Sequence, residues 1–363
     1  LMTNKNSQNQ FRNFSAKYTH LFDEYIKSYF DSKINGYPHE FAKEILSDIK
    51  EYCLRDGKRI RPLLLLNSYI GYKRGFKKIE EIIKLGAAVE IMHSLLLIQD
   101  DIIDRSPMRR GGKAMHILLG DKYRPQTRNE YIGTDIASIV ADIMFSCSLE
   151  IIANAKIRNS IRTEFLKIFS QTYEKTAWGQ ILDSLNTLPI TLEKDTEAPM
   201  LISLMKTAYY TIAYPMTMGY VLSGGQGIHE LEAIKNFGLT LGLAFQIRDD
   251  ILSIFGVESE TGKPSDSDLV EGKFTLLIHN TMQKLSDEDF TIFREKFLSQ
   301  SKTPTDIEWI RCTIKDSGGL EETINSHESL IDEAYAKVEE LSIKSANKEV
   351  LKGIIEAIED LPI

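Results

Sequence analysis

Three aspartates stand together near residue 100, at the end of an apolar run that reads LLLIQDDIID and ends at Asp104. Residues four apart share one face of a helix, so Asp100 and Asp104 point the same way. Pro107 follows and ends the helix within a turn, which places the carboxylates at the negative end of the helix dipole. Negative charge is disfavoured there by about 0.3–1 kcal/mol per exposed group. A bound cation would offset this cost, so the segment predicts a metal site.

A second acidic pair, Asp249 and Asp250, ends a similar run, LAFQIRDDIL. Neither run contains the interleaved His and Cys of a zinc site, and EF-hand spacing is absent. Ligands that are all oxygen favour Mg²⁺ or Ca²⁺. Mg²⁺ is commonly held by one or two carboxylates and by the phosphates of a substrate, so the acids predict a phosphorylated substrate. The alternative is that the two runs are unrelated, solvated helix ends.

Basic residues of complementary charge lie along the same chain. A glycine loop, GKRIRP, brings Lys58 and Arg61 to the start of a helix, where backbone N–H groups attract anions. A solvated loop with ordinary surface charges is the alternative for these two residues. The remaining basic candidates for phosphate binding are Arg109, Arg110, Lys206, Lys263 and Lys273.

Helices must position these groups, because helical periodicity runs through almost the whole chain and alternating strand patterns are nearly absent. We expect helices over about 11–30, 39–54, 63–72, 79–104, 134–155, 160–186, 200–223 and 230–255, with three or four more before the end. No Pro- or Ser-rich linker divides the chain. We therefore predict disorder over residues 1–10 and a single all-α domain over residues 11–363. The expected fold is a helical bundle around a central cavity, with the two Asp-rich helices facing each other.

The bulk composition limits the classes of partner. The 363 residues carry a net charge of −8, which argues against nucleic acid, since phosphate backbones need a basic face. Cys53, Cys147 and Cys312 lie far apart without metal-ligand spacing, so we expect free thiols in a reducing compartment. No run approaches the roughly 20 apolar residues of a membrane span, and the polar start does not read as a signal peptide. The sequence therefore predicts a cytoplasmic protein without a membrane span.

Together the motifs resemble the trans-isoprenyl diphosphate synthases, the family of farnesyl and geranylgeranyl diphosphate synthases. The matching blocks span about 57–273 in the family's order: GKRIRP (57–62), DDIIDRSPMRRG (100–111), MKTAYY (205–210), FQIRDDILSIFG (245–256) and TGKPSDSDLVEGK (261–273). The resemblance implies a Mg²⁺-dependent prenyltransferase that joins isopentenyl diphosphate head-to-tail to dimethylallyl, geranyl or farnesyl diphosphate. It also implies a homodimer.

The resemblance assigns roles to the acidic residues and to the residues that bind the allylic substrate. Three Mg²⁺ ions would be held with the allylic diphosphate by Asp100, Asp101, Asp104, Asp249 and Asp250. The allylic diphosphate itself would be bound by Arg109, Lys206, Lys263 and Lys273. Oxygen atoms near the developing carbocation would come from Thr207 and Gln246, and Tyr210 is a further substrate-binding candidate.

The same resemblance places isopentenyl diphosphate on Lys58, Arg61, His93 and Arg110. In the implied mechanism the allylic C–O bond ionises, the double bond of isopentenyl diphosphate attacks the allylic carbon, and pyrophosphate takes the final proton. The catalytic residues would be Asp100, Asp104, Arg109, Lys206, Thr207, Gln246, Asp249 and Lys263.

The chain departs from the family pattern at two places. The second motif reads DDILS, so Ser253 stands where the family usually has a third Asp, which predicts weaker metal affinity with activity retained. The chain ends EAIEDLPI, without the basic tail of many eukaryotic farnesyl synthases. A terpene cyclase or a non-catalytic subunit of a prenyl synthase is the alternative function.

Residues one turn before the first acids are expected to form the wall along which the product grows, since a helical turn rises about 5.4 Å. They are Leu95 and Leu96, with Met92 about another turn away. Animal-type farnesyl synthases usually have two aromatic residues at the first pair of positions. Leucines leave a deeper tunnel, so we expect a twenty-carbon product, alone or alongside the fifteen-carbon one. The alternative is that these are ordinary core residues.

Overall fold

The computed structural model describes residues 4–75, 79–185, 197–256, 267–299 and 301–361, which are almost entirely helical. This confirms the predicted all-α class. The helices of the first half are α1 (Asn4–Gly36), α2 (Glu40–Leu54), α3 (Ile60–Tyr72), α4 (Ile79–Ile103), α5 (Met115–Tyr123), α6 (Ile132–Asn154) and α7 (Asn159–Leu185). Those of the second half are α8 (Ala198–Ile202), α9 (Tyr214–Leu222), α10 (Ile228–Phe255), α11 (Ser267–Glu271), α12 (Leu276–Lys284), α13 (Asp287–Leu298), α14 (Pro304–Asp316), α15 (Gly319–Glu340) and α16 (Ser345–Glu359).

Besides a short 3-10 helix, Arg124–Gln126, two features depart from regular α-helix and were not predicted. A π-helical segment, Ser203–Ala213, joins α8 to α9, so the helix expected over 200–223 is π-helical in its first half. Two short antiparallel strands, β1 (Met108–Arg109) and β2 (Gly112–Lys113), form a hairpin after α4. Both features contain residues of the matching motifs.

The chain separates into two compact units. Unit N comprises Arg12–Ser170 and Pro215–Gln226, and unit C comprises Leu1–Phe11, Gln171–Tyr214 and Gly227–Ile363. Two of the boundaries fall inside α1 and α7, where no change of composition could mark them. The single domain over 11–363 and the facing Asp-rich helices stay predictions.

The predicted disorder of residues 1–10 is wrong from Asn4 onward, where α1 begins. Ser7 is buried, and its hydroxyl donates a hydrogen bond to Glu349 Oε2 at 2.8 Å. The backbone of Ser7 also passes so close to Gly353 that a Cβ there would lie 2.3 Å from the Ser7 carbonyl oxygen. Packing against α16 therefore orders a polar segment that has no apolar periodicity of its own.

In unit N, helix α4 is the buried centre and packs against α2, α3, α5 and α6. The Ser148 hydroxyl of α6 donates to the Ala88 carbonyl of α4 at 3.1 Å, and both residues are buried. A Cβ on Gly86 of α4 would lie 2.6 Å from the Phe22 ring of α1, so glycine is needed for this close approach. These contacts fix the position of the C-terminal end of α4, where the first acids stand.

The expectation that no run approaches a membrane span is wrong for helix α6. By length and composition it could cross a membrane, with a mean hydropathy of 1.9 over its most apolar window. However, 44% of that window is buried inside the protein, where α6 packs on α4 and α5. This burial fits a core helix.

In unit C, helix α10 is central and packs against the π-helical segment and α15. The backbones approach closely because glycines face the π-helical segment. A Cβ on Gly242 would lie 2.5 Å from Ala208 Cα. A Cβ on Gly179 of α7 would lie 2.4 Å from the backbone nitrogen of Lys206. The segment that carries Lys206 is therefore held between α7 and α10.

Candidate active site

The first acidic residues stand at the end of α4 as predicted. The backbone N–H of Asp104 donates to the Asp100 carbonyl oxygen at 2.8 Å, which continues the helical pattern one residue beyond Ile103. The side chains of Asp100 and Asp104 are partly exposed. They therefore present two carboxylates on one face, one turn apart.

The intervening Asp101 is different, because its side chain is completely buried. The Tyr52 hydroxyl donates to Oδ2 at 3.1 Å, and Arg109 Nε donates to Oδ1 at 2.7 Å. Burial raises the pKa of Asp101, while the Arg109 guanidinium opposes that shift. Both oxygens are engaged, so Asp101 supports Arg109 rather than presenting an open metal-binding face.

Arg109 was expected to bind a diphosphate, and the structure places it against the acids. Its Nη2 donates to Asp100 Oδ2 at 3.2 Å and also pairs with Asp101. The pKa of Arg109 is raised by these carboxylates, even though burial acts in the opposite direction. The guanidinium thus links the buried acid to a partly exposed one.

The hairpin after α4 orients the two adjacent arginines. Arg109 pairs with Gly112 across the strands, and the two turn residues, Arg110 and Gly111, have φ values of 50° and 75°. Positive φ at both positions is typical of a type I′ turn. Arg55 braces the hairpin by donating from Nη1 to the carbonyl oxygens of Arg109 at 3.1 Å and of Lys113 at 2.9 Å. The sequence signal for the turn was RRGG.

Arg110 points to a different set of groups from Arg109. Its Nη2 lies 3.0 Å from His93 Nε2, and His93 is buried. Arginine can only donate, so His93 Nε2 accepts and the ring is neutral with its proton on Nδ1. Burial lowers the pKa of His93 well below its ordinary value, and Arg61 is the largest of several nearby positive charges that add to the shift. The structure therefore places Arg61 and Arg110 near His93, while Lys58 is exposed on its loop.

Two charged residues of this cluster were missed. Arg59 is buried, and it donates from Nε to Asp23 at 2.8 Å and from Nη1 to Glu90 at 3.1 Å. Glu90 lies on α4 and is also buried. The available signal was a lone carboxylate within the apolar run of α4, which needs a buried positive partner.

In unit C, three predicted residues form one chain of hydrogen bonds. The Thr207 hydroxyl donates to Gln246 Oε1 at 2.6 Å, and Gln246 Nε2 donates to Asp250 Oδ1 at 2.7 Å. Lys206 Nζ donates to Asp183 Oδ2 at 2.6 Å. Asp183 of α7 was missed, because nothing in its local sequence marks it as a partner of Lys206.

Asp250 is buried, whereas its neighbour Asp249 is exposed. Burial raises the pKa of Asp250 well above its ordinary value; Asp268, Asp249 and Asp183 add to the shift, and the Gln246 hydrogen bond opposes it. Asp249 is therefore the accessible carboxylate of this pair. Ser253 donates to the Asp250 carbonyl oxygen at 2.8 Å, a bond that the family's usual Asp could not donate.

The remaining predicted residues are more dispersed. Lys273 pairs with Glu271 at 2.9 Å and approaches Asp268 at 3.9 Å, and Lys263 lies outside the described residues. Tyr210 is largely buried on the π-helical segment. The three product-length candidates lie on α4, where Met92 and Leu95 are fully buried and Leu96 is partly buried.

The acidic residues fit Mg²⁺ through the chemistry of their donors. Within the described part of the chain, no group of three or more His, Cys, Asp or Glu side chains is arranged to hold a metal by itself. Mg²⁺ commonly needs only one or two carboxylates, with the substrate's phosphates and waters as its other ligands. Asp100, Asp104 and Asp249 are accessible for such binding, whereas Asp101 and Asp250 are buried in other hydrogen bonds.

Comparison with known proteins gives consistent matches. The Polyprenyl synthetase family model matches residues 43–314. A short chain isoprenyl diphosphate synthase from Methanocaldococcus jannaschii is 31% identical over 271 residues, 74% of this chain and 75% of that protein. Solanesyl diphosphate synthase 2, chloroplastic, of Arabidopsis thaliana is 27% identical over 320 residues, 87% of this chain and 68% of that protein.

A solved structure has a similar fold. It is the geranylgeranyl pyrophosphate synthase from Corynebacterium glutamicum, complexed with isoprenyl diphosphate and magnesium. The TM-score is 0.83 at 24% identity, over 93% of this chain and 98% of that one. At this identity the similarity supports the fold alone.

Proposed function

This chain belongs to the polyprenyl synthetase family, and from that premise we propose that it condenses isopentenyl diphosphate head-to-tail with allylic diphosphates in a Mg²⁺-dependent reaction. It is an isoprenyl diphosphate synthase, as its relatives are by name. The observation that carries the proposal lies in unit N. There, the accessible carboxylates of Asp100 and Asp104 stand beside a group of arginines around a neutral histidine. Such a site can hold both a metal and an anion.

The proposed metal ligands are Asp100 and Asp104 in unit N and Asp249 in unit C, and the resemblance to the family implies three Mg²⁺ ions. When bound, Mg²⁺ would neutralise the diphosphate and polarise the oxygen of the bond that breaks. Asp101 contributes by holding Arg109, and Asp250 contributes by holding Gln246. Each buried acid therefore orients a side chain rather than binding the substrate.

The proposed site for isopentenyl diphosphate consists of Lys58, Arg61, His93 and Arg110. Guanidinium groups suit phosphate oxygens because their donors form a planar fork. His93 remains neutral, so its Nε2 can accept a hydrogen bond from Arg110 and fix that guanidinium. The loop that carries Lys58 leads into α3, which contains Arg61 in its first turn and whose N-terminal N–H groups favour anions.

Within unit C, the residues proposed for the allylic substrate are Lys206, Thr207 and Gln246, and within unit N the candidate is Arg109. Lys206 balances the negative charge of the leaving pyrophosphate, and Asp183 orients the ammonium group of Lys206. The Thr207 and Gln246 oxygens are fixed by their mutual bond, so they can stabilise positive charge at the reacting carbon without reorganising. Tyr210, Lys263 and Lys273 complete the proposed set.

We propose a twenty-carbon product, alone or with the fifteen-carbon one, because Leu95 and Leu96 carry no ring that would close the path next to Asp100. The relatives' names range from short chain to solanesyl synthases, so family membership leaves the length open. A cytoplasmic homodimer belongs to the same proposal. The free cysteines and the exposed Ile139 and Ile143 on α6 agree with it.

The test is an incubation with Mg²⁺, labelled isopentenyl diphosphate and each of three allylic primers, with products separated by chromatography. We expect elongated diphosphates of up to twenty carbons. A cyclised hydrocarbon would identify a terpene cyclase, and no turnover would identify a non-catalytic subunit. Asp121→Asn serves as a matched control, since Asp121 is exposed and pairs only with Lys113 among the described ion pairs.

A further inference from the structure

Glu90 is a buried carboxylate inside the cluster of Arg59, Arg61, His93 and Arg110, whose positive charges would otherwise favour only bound anions. Its side chain is 1% exposed. Arg59 Nη1 donates to Glu90 Oε1 at 3.1 Å, and Arg110 Nη2 lies 3.6 Å from the same oxygen. The other oxygen, Oε2, has no hydrogen-bond partner among the described residues. The contacts of this carboxylate are thus concentrated on the side that faces two arginines.

Two side chains on one face of α4 contact the Arg110 guanidinium. Glu90 and His93 are three residues apart on that helix, so their side chains are neighbours, and both approach Arg110 Nη2. The Gly57 backbone also lies close to this guanidinium. A Cβ there would lie 3.0 Å from the Arg110 guanidinium carbon and 3.0 Å from Arg59 Nη1. The guanidinium therefore sits between α4 and the Gly57 loop, with little room to move.

Arg59 does not depend on Glu90 alone, which separates its role from that of Arg110. Asp23 accepts from Arg59 Nε at 2.8 Å, and the Cys53 and Arg55 carbonyl oxygens each accept from Nη2 at 3.0 Å. For Arg110, Glu90 is the carboxylate among the described ion pairs. Removing the charge of Glu90 would therefore affect the position of Arg110 more than that of Arg59.

We propose that Glu90 is a positioning residue for isopentenyl diphosphate: it holds Arg110 against His93 and reduces the repulsion between the Arg110 and Arg59 guanidinium groups. This inference rests on the proposed function. A fixed guanidinium loses less conformational entropy when it binds a diphosphate than a free one does. Glu90 thereby supports binding of the acceptor substrate without touching it.

The test is Glu90→Gln, which keeps the shape of the side chain and removes its charge. Steady-state kinetics are measured with each substrate varied while the other is saturating. We expect the KM for isopentenyl diphosphate to rise about tenfold or more, because Arg110 loses the ion pair that fixes it and its guanidinium must then be ordered when the diphosphate binds. The kcat and the KM for the allylic diphosphate should change by less than about twofold, since the groups proposed for that substrate do not contact Glu90. A structural role alone would not separate the two KM values.

Asp23→Asn is the matched control, because it removes the other carboxylate of Arg59 and leaves Arg110 untouched. It should leave both KM values unchanged. Gly57→Ala is a second variant, which crowds both the Arg110 and the Arg59 guanidinium groups without altering any charge. It should also raise the KM for isopentenyl diphosphate alone. It supplies the test if Glu90→Gln does not fold, as judged by circular dichroism.

An unchanged KM for isopentenyl diphosphate in folded Glu90→Gln, or an equal rise in both KM values, would overturn the proposal. So would a rise of the same size in Asp23→Asn. Failure of the proposed function is distinguishable, since then the unaltered protein would form no elongated diphosphate with any primer.

Discussion

The two Asp-Asp pairs have the same sequence but different electrostatics. In each pair one carboxylate is accessible and the next is buried. In unit N the buried Asp101 is compensated by the charged Arg109, whereas in unit C the buried Asp250 is met by the neutral amide of Gln246 and by like charges. The same dipeptide therefore gives a charge-paired support at one site and a poorly compensated acid at the other.

The largest expected effect separates the accessible acid from the buried one within unit C. Asp249→Asn should lower kcat about 10³-fold, because loss of the proposed metal ligand would remove several kcal/mol of charge stabilisation. Asp250→Asn should lower it about tenfold, as expected for a residue that orients a ligand-contacting group. Turnover at saturating Mg²⁺ measures both. Equal losses would remove the distinction between the two roles.

The free energy of unfolding should distinguish the two buried acids, Asp101 and Asp250. Asp101→Asn leaves Arg109 without its buried partner and should lower the free energy of unfolding by about 3 kcal/mol. Asp250→Asn should not lower it, because Gln246 can still donate to the amide oxygen while the burial of a charge is avoided. Urea unfolding of the two variants measures the difference. A larger loss for Asp250→Asn would contradict the electrostatic assignment.

The pH dependence of stability tests whether Asp250 is a poorly compensated buried acid. Burial raises the pKa of Asp250, so the folded protein binds this proton more tightly than the unfolded chain does. The stability contribution is complete below the ordinary pKa of 3.8 and is lost as pH rises through the raised value. Melting temperatures from pH 4 upward should therefore fall in the unaltered protein relative to Asp250→Asn. A constant difference across that range would show that Asp250 titrates normally.

The smallest expected effect on rate concerns the turn before the acids. Leu95 is fully buried on α4, next to the turn that carries Asp100. Leu95→Phe should shorten the main product while kcat changes by less than about threefold, since the added ring acts on the tail of the substrate and not at the metals. Product chromatography measures the length. Leu97→Phe on the same helix is the control, and an unshortened product in Leu95→Phe would make Leu95 an ordinary core residue.

The helical periodicity was sufficient to predict the fold class and the shared face of Asp100 and Asp104, because both depend on local sequence. It could not predict the π-helical segment, against which glycines of α7 and α10 pack closely. The partners Asp183 and Glu90 were also missed. Each is a single carboxylate whose role appears only when a distant lysine or arginine is folded against it. The buried states of Asp101 and Asp250 required tertiary structure for the same reason.

The first aspartate of the second pair, Asp249, is exposed and accessible to a metal, whereas the next one, Asp250, is a buried support. The most direct test is the Mg²⁺ concentration that gives half-maximal turnover in Asp249→Asn and Asp250→Asn. We expect Asp249→Asn to raise it more than about tenfold or to abolish turnover, and Asp250→Asn to leave it within about threefold of the unaltered protein. A shift in Asp250→Asn as large as that in Asp249→Asn would contradict the account.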